Sequence, residues 1–213
     1  MVAQSPEVVS TVPGATLTSP EWLTARITEM GRSWGTSSTR IAGTLWWCMV
    51  ASALVEPLAR AAATGQLPPE PALDRIDCEI RPDGGVERVR IAACDAPDAA
   101  RSAAVLGETL AVVIPAVAAV SGAGVPALWA IAADAMGNRA LDAGNGAAGA
   151  ELAAQVGEKL PMPRFVEVGG RTFVRRISCC LVFEIPGCEM CTSCPKRPAA
   201  DREALLAKLA AGS

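Results

Sequence analysis

The sequence predicts an α+β protein: a mainly helical body, two short β-hairpins and a cysteine-rich C-terminal segment. Three observations carry that prediction. Hydrophobic residues make up 51% of the 213-residue chain and aromatics only 4%, which suits Ala-rich helices in close contact. Residues 75–92 and 164–177 each alternate apolar and polar side chains about a glycine-containing turn, the pattern of a hairpin. Five of the eight cysteines fall in the sixteen residues from Cys179 to Cys194. The length suits one large domain or two small ones. We divide the chain into a flexible lead-in (1–18), a helical body with the first hairpin (19–160), and a C-terminal unit (161–213) holding the second hairpin, the cysteines and a closing helix.

In order, residues 1–18 are rich in Ser, Thr, Pro and Val without periodicity, hence the loose lead-in. Ser19-Pro20-Glu21 is a helix start: a capping hydroxyl, proline at the first position and an acid near the positive end. Leu23, Ile27 and Met30 share one face of that helix, and Ser33-Trp34-Gly35 ends it. A strongly apolar helix runs from Ile41 to about Val55, with Pro57 kinking or restarting it. The hydroxyls Thr36 to Thr39 beside Arg40 read as capping rather than as an anion site. In the first hairpin Ile76, Cys78 and Ile80 face Val86, Val89 and Ile91 across Pro82-Asp83-Gly84-Gly85.

Asp95-Ala96-Pro97 opens the next helical region. From Thr109 to Ala133 no residue is charged, which raises the question of a membrane span. Pro115, Gly122, Gly124 and Pro126 interrupt the run, so a buried helical hairpin is expected instead, with helices over about 101–120 and 126–143. A further helix covers about 147–159, and the second hairpin turns at Gly169-Gly170 and leads straight to Cys179. Asp201 to Ala210 closes the chain as a short helix. Cys48, Cys78 and Cys94 read as small core residues.

Composition excludes several kinds of chemistry. The formal net charge is -3, so nucleic acid is not an expected partner. The chain contains no histidine, which removes His-ligated metals, Rieske centres and Ser-His or Cys-His catalytic pairs. The N-terminus lacks the basic and apolar regions of a secretory signal. The expectation is therefore a cytoplasmic protein with reduced thiols, peripheral contact with the inner membrane face remaining open. No Gly-x-Gly-x-x-Gly follows a strand, so a chain-borne nicotinamide or flavin is not indicated.

The cysteines make the most specific chemical statement. Cys179 and Cys180 are adjacent, ten residues follow, and Cys191-Thr192-Ser193-Cys194 closes the pattern. Four soft thiolates select zinc, Cu(I) or an iron–sulfur cluster. Structural zinc usually takes two Cys-x-x-Cys knuckles, and only one is present. Adjacent cysteines on extended backbone point to opposite faces, so the pair needs a turn or a target larger than one ion, such as a two-iron cluster. Cys188 is a fifth thiol, and spacing alone leaves the ligand set open.

Cys-Cys, ten residues, Cys, two residues, Cys, preceded by basic residues and Ser178 and followed by Pro195, resembles the C-terminal signature of FhuF-type ferric-siderophore reductases. Leu181 after the pair fits the same signature. Leu128-Trp129 followed by Gly137-Asn138 resembles that family's Leu-Trp-Gly-Asn helix, here with seven residues between the two halves. The resemblance implies a [2Fe–2S] cluster held by Cys179, Cys180, Cys191 and Cys194, with Cys188 a free or neighbouring thiol. It implies that the helical body, 19–160, shapes a site for a ferric siderophore, reduced by one electron to release Fe(II). A ferredoxin-like or flavin-dependent protein would supply the electron. Arg175, Arg176, Lys196 and Arg197 bracket the cysteines and could stabilise a reduced cluster or steer an acidic donor or anionic chelate. Two other readings use the same residues: an electron carrier or redox sensor without a chelate substrate, and a zinc-stabilised binding domain without enzymatic activity.

Overall fold

The computed structural model describes residues 8–94, 96 and 98–212. Among them the chain forms six α-helices and two small antiparallel sheets, in agreement with the expected class. Helix α1 (Pro20–Trp34) starts where the Ser19 hydroxyl accepts from the Trp22 N–H, and ends at Gly35 in the left-handed region. Helix α2 (Thr39–Thr64) is capped by Ser38, whose hydroxyl accepts from the Ile41 N–H. The expected kink or restart at Pro57 is not a break, because α2 continues to Gly65. A proline inside a helix costs about 3 kcal/mol. Leu54, Val55, Leu58 and Ala59 are buried on both sides of it, and their packing offsets that cost.

Helix α2 is the axis of the body. It packs against α1, a long helix α3 (Ala99–Ser121), helix α4 (Val125–Asp142) and helix α5 (Gly146–Val156). Trp46 and Trp47, both fully buried, donate their indole N–H groups to the carbonyls of Gly84 (2.9 Å) and Leu128 (2.8 Å). Each indole thus fills core volume without leaving its polar atom unpaired. Trp129 is buried as well, whereas Trp34 is exposed.

The first hairpin, β2 (Ile76–Ile80) and β3 (Val86–Ile91), gains a strand that periodicity did not reveal. Residues Ser10–Pro13 form β1, antiparallel to β2 with Val12 opposite Cys78, and Gly14–Thr18 follows as a 3-10 turn. The lead-in is therefore ordered structure from Ser10 onward. Its four-residue strand is too short to show alternation, but it pairs the open edge of β2 and buries Leu17 completely. Residues 1–7, Asp95 and Pro97 lie outside the described residues, and the α3 cap is Asp98, accepting from the Arg101 N–H.

The α3–α4 hairpin forms as expected, with Pro115 inside α3, which is 23 residues long. By length and composition α2 and α3 could each cross a membrane, and their most apolar windows are 72% and 44% buried in the fold. Asn145 caps α5. The second hairpin, β4 (Phe165–Val168) and β5 (Arg171–Val174), packs on α4 through β5. Helix α6 (Ala199–Ala210) rests against β4, with Leu206 buried and Leu209 exposed.

Candidate metal centre

The cysteine segment leaves β5 and runs across the helical body between α4 and α2. Its anchor is Asp134 of α4, 2% exposed. Asp134 accepts from the backbone N–H groups of Ile177 (3.0 Å) and Ser178 (3.0 Å) and from the Ser178 hydroxyl (2.6 Å). Arg176 adds its guanidinium, with Nε 3.7 Å from Asp134 Oδ2. Four donors converge on one buried carboxylate, which satisfies its charge and locks the residues just before Cys179. A second tether is the ion pair of Arg40 with Glu184 (2.8 Å), which ties the 3-10 turn Val182–Glu184 to the start of α2. Arg40 and Ser38 thus serve the fold, as capping and as a tether.

The adjacent cysteines need a turn, and Leu181 supplies it. Among the described residues Leu181 is the one non-glycine residue with positive φ (63°). A left-handed leucine costs about 1–2 kcal/mol, so it persists where surrounding contacts hold it in place. Its N–H donates to Cys179 Sγ (3.4 Å). The turn separates the four thiols into two pairs. Cys179 Sγ lies 3.8 Å from Cys194 Sγ, and the Cys180 thiol neighbours that of Cys191. Cys191 and Cys194 sit on one knuckle, where the Cys194 N–H donates to the Cys191 carbonyl (3.1 Å). Each pair therefore takes one thiol from the vicinal residues and one from the knuckle.

Two neighbouring thiol pairs give four sulfur donors, the number an all-cysteine cluster takes. The chemistry of the donor set, four thiols with backbone N–H groups aimed at sulfur, suits a [2Fe–2S] centre. Cys188 is half-buried, packs toward the core and joins neither pair in the described contacts.

Electrostatics divide the two pairs. The Cys180 thiol is lowered to about 5 by the hydrogen bond from Cys191, helped by the Val182 N–H and by Arg176 against the opposing effect of burial. Cys191, the donor in that bond, is raised. Cys179 is raised, mainly by burial. The Arg176 guanidinium, 20% exposed, places Nη1 3.7 Å from Cys191 Sγ. Burial opposes its charge, but the acidic groups around it, Asp134 and the Cys180 thiol among them, push its pKa up.

Of the four basic residues expected near the cysteines, only Arg176 meets a thiol in the described contacts. Arg197 braces the knuckle from outside, donating to the carbonyls of Met190 (2.6 Å) and Cys191 (3.4 Å). Arg175 and Lys196 are exposed. Cys48, expected as a plain core residue, lies against Arg176 instead, its thiol pushed up to about 12 by burial. It lines a cleft of about 300 Å³ together with Ser52, Asp134, Asn138, Arg139 and Arg176, among others. Cys78 is a core residue as expected.

Sequence reasoning passed over Asp134. The signal was present: it is the single charged residue between Glu108 and Arg139, set in an otherwise apolar helix. A lone acid there is either exposed or paired with something brought in from elsewhere in the chain.

No curated protein matches the chain. Residues 176–196, the stretch from Arg176 to Lys196 that contains both thiol pairs, match the family model described as the FhuF 2Fe-2S C-terminal domain. Over those residues the chain is similar to the C-terminal domain of the FhuF family.

Proposed function

We propose that this protein is an iron–sulfur oxidoreductase that passes one electron to the ferric ion of a siderophore complex and so releases Fe(II). The carrying observation is the division of four thiols into the pairs Cys179–Cys194 and Cys180–Cys191, inside the stretch that matches the FhuF 2Fe-2S domain. Those four residues would hold a [2Fe–2S] cluster, which supplies one-electron redox chemistry when bound. Hard oxygen donors bind Fe(III) tightly and Fe(II) much less, so a single electron makes the metal labile. Such a transfer needs proximity and no proton shuttle, which accords with a chain lacking histidine.

The protein's own residues have three tasks in this reading. Asp134 and the left-handed Leu181 hold the cysteine segment against the helical body. Arg176 keeps a buried positive charge against the thiols. Arg175 and Lys196, exposed beside the segment, attract an acidic electron-donor protein or an anionic ferric chelate. The cleft between α2 and α4 opens beside Arg176 and gives a small polar group on either partner a place to approach.

The test is the anaerobic absorption and EPR spectrum of the purified protein. The expected result is a coloured protein with iron and sulfide in equal amounts, reduced by dithionite and rapidly reoxidised when a ferric siderophore is added. Stoichiometric zinc with neither iron nor sulfide would overturn the reading in favour of a zinc-stabilised domain. A reducible cluster indifferent to every ferric chelate would leave an electron carrier or sensor.

A further inference from the structure

The two thiol pairs are chemically similar but electrostatically unlike. Arg176 lies on one side only, with Nη1 3.7 Å from Cys191 Sγ and its charge felt at Cys180. Cys180 also takes the Val182 N–H. On the other side Cys179 takes one N–H, from Leu181. The nearby cations Arg197 and Arg202 reach backbone carbonyls: Arg197 those of Met190 and Cys191, Arg202 those of Cys194 (3.5 Å) and Arg197 (3.1 Å). Neither meets a sulfur in the described contacts, whereas Arg176 does.

Arg176 cannot swing away easily. Its side chain is 20% exposed, and its Nε end is held by Asp134. That carboxylate already receives two backbone N–H groups and a hydroxyl, so its negative charge is shared among several donors and cancels the guanidinium only in part. A fixed positive charge in a half-buried site stabilises negative charge developing beside it and is weakly screened by salt.

Resting on the [2Fe–2S] reading above, we propose that Arg176 makes the Cys180–Cys191 end the electron-accepting end of the centre. With a cluster bound, an electron from an external one-electron reductant would settle nearer Cys180 and Cys191 than Cys179 and Cys194. Arg176 would supply the compensating positive charge there, and the transfer would form and break no bond. Asp134 is the positioning residue, and it also limits how strongly Arg176 acts.

The experiment is an EPR-monitored redox titration with dithionite of the wild-type protein and of the R176Q, R176K and D134N variants. It is joined to NMR of the reduced wild type, reading the cysteine β-protons after assignment to each residue. Removing the charge in R176Q should lower the reduced-to-oxidised ratio at a fixed potential at least tenfold, a shift of about 59 mV to more negative values for one electron. R176K should restore part of it. D134N should shift the potential the opposite way, since it relieves Arg176 of its counter-charge; a merely structural role would not give opposite signs. In the NMR, the cysteines on the ferrous ion have shifts that grow on warming, and these should be Cys180 and Cys191. Should the variants fail to retain a cluster, the wild-type spectrum still decides. Ferrous behaviour at Cys179 and Cys194, or an R176Q potential equal to the wild type, overturns the proposal while leaving the cluster in place. A wild-type protein without iron and sulfide overturns the cluster reading and this inference with it.

Discussion

At the scale of single residues, the cysteine segment shows how backbone conformation sorts chemically identical groups. Cys179 and Cys180 point apart as adjacent residues do, the left-handed Leu181 turns the chain immediately after them, and each finds its partner on the Cys191–Cys194 knuckle. In the proposed cluster, removing one thiol from either pair would leave an iron without its full donor set. On that reading, replacing Cys191 or Cys194 with Ser should abolish or strongly alter the EPR signal and lower the proposed siderophore reduction at least a hundredfold. Replacing Cys188 with Ser should retain the signal, since its thiol joins neither pair in the described contacts. Bleaching of the C188S protein would show that Cys188 is a ligand.

At the scale of elements, the site depends on helices brought unusually close. Gly43 of α2 meets Ser121 at the end of α3: a Cβ there would lie 2.3 Å from the Ser121 Cβ. An alanine would force α2 away from α3, and α2 also carries Cys48 and the Arg40 tether to the 3-10 turn. G43A should destabilise the fold by about 1–3 kcal/mol, as overpacking usually does. Denaturant unfolding of the two proteins measures it. Gly137 plays a similar part at the α4 surface, where a Cβ would press on Pro163 (3.0 Å), just ahead of the second hairpin, and on Val174 (3.2 Å) in its β5. The hairpin that delivers the chain to Cys179 thus seats against a glycine.

At the scale of the whole molecule, a thiol buried in the core makes stability sensitive to alkali. Cys78 is fully buried between the first sheet and the body, and burial pushes its thiol up to about 12 from an ordinary value of 9.0. Above pH 9 the unfolded chain loses this proton while the folded one keeps it, so unfolding is favoured progressively as pH rises from about 9 toward 12. In that window Cys78 alone should steepen the loss by up to about 1.4 kcal/mol per pH unit. C78A should be less stable at neutral pH, by a cavity cost, yet show a shallower decline above pH 9. Urea unfolding between pH 8 and 11 checks both halves of that statement.

Much of the architecture was legible in local patterns. Capping residues at Ser19 and Ser38, the glycine turns of both hairpins and the Ala-rich runs are decided within a few neighbours, and they appear where the sequence places them. The thiol pattern, too, is a local fact, and with the absence of histidine it narrowed the centre to sulfur-only ligation. What the sequence could not decide is whatever depends on partners far along the chain. A four-residue strand at Ser10–Pro13 has no periodicity to display, and it exists because β2 offers an open edge. Prolines 57 and 115 sit inside helices because burial on both sides outweighs the lost hydrogen bond. Asp134 and Ile177 lie 43 residues apart, and Cys48 and Arg176 further still, so their meeting is a property of the packed helices. The sequence by itself offered five thiols in one stretch as candidate ligands. Tertiary structure decided that Cys179 stands beside Cys194 and that a single arginine, held by a single carboxylate, stands beside Cys191, because packing brings together residues from distant parts of the chain.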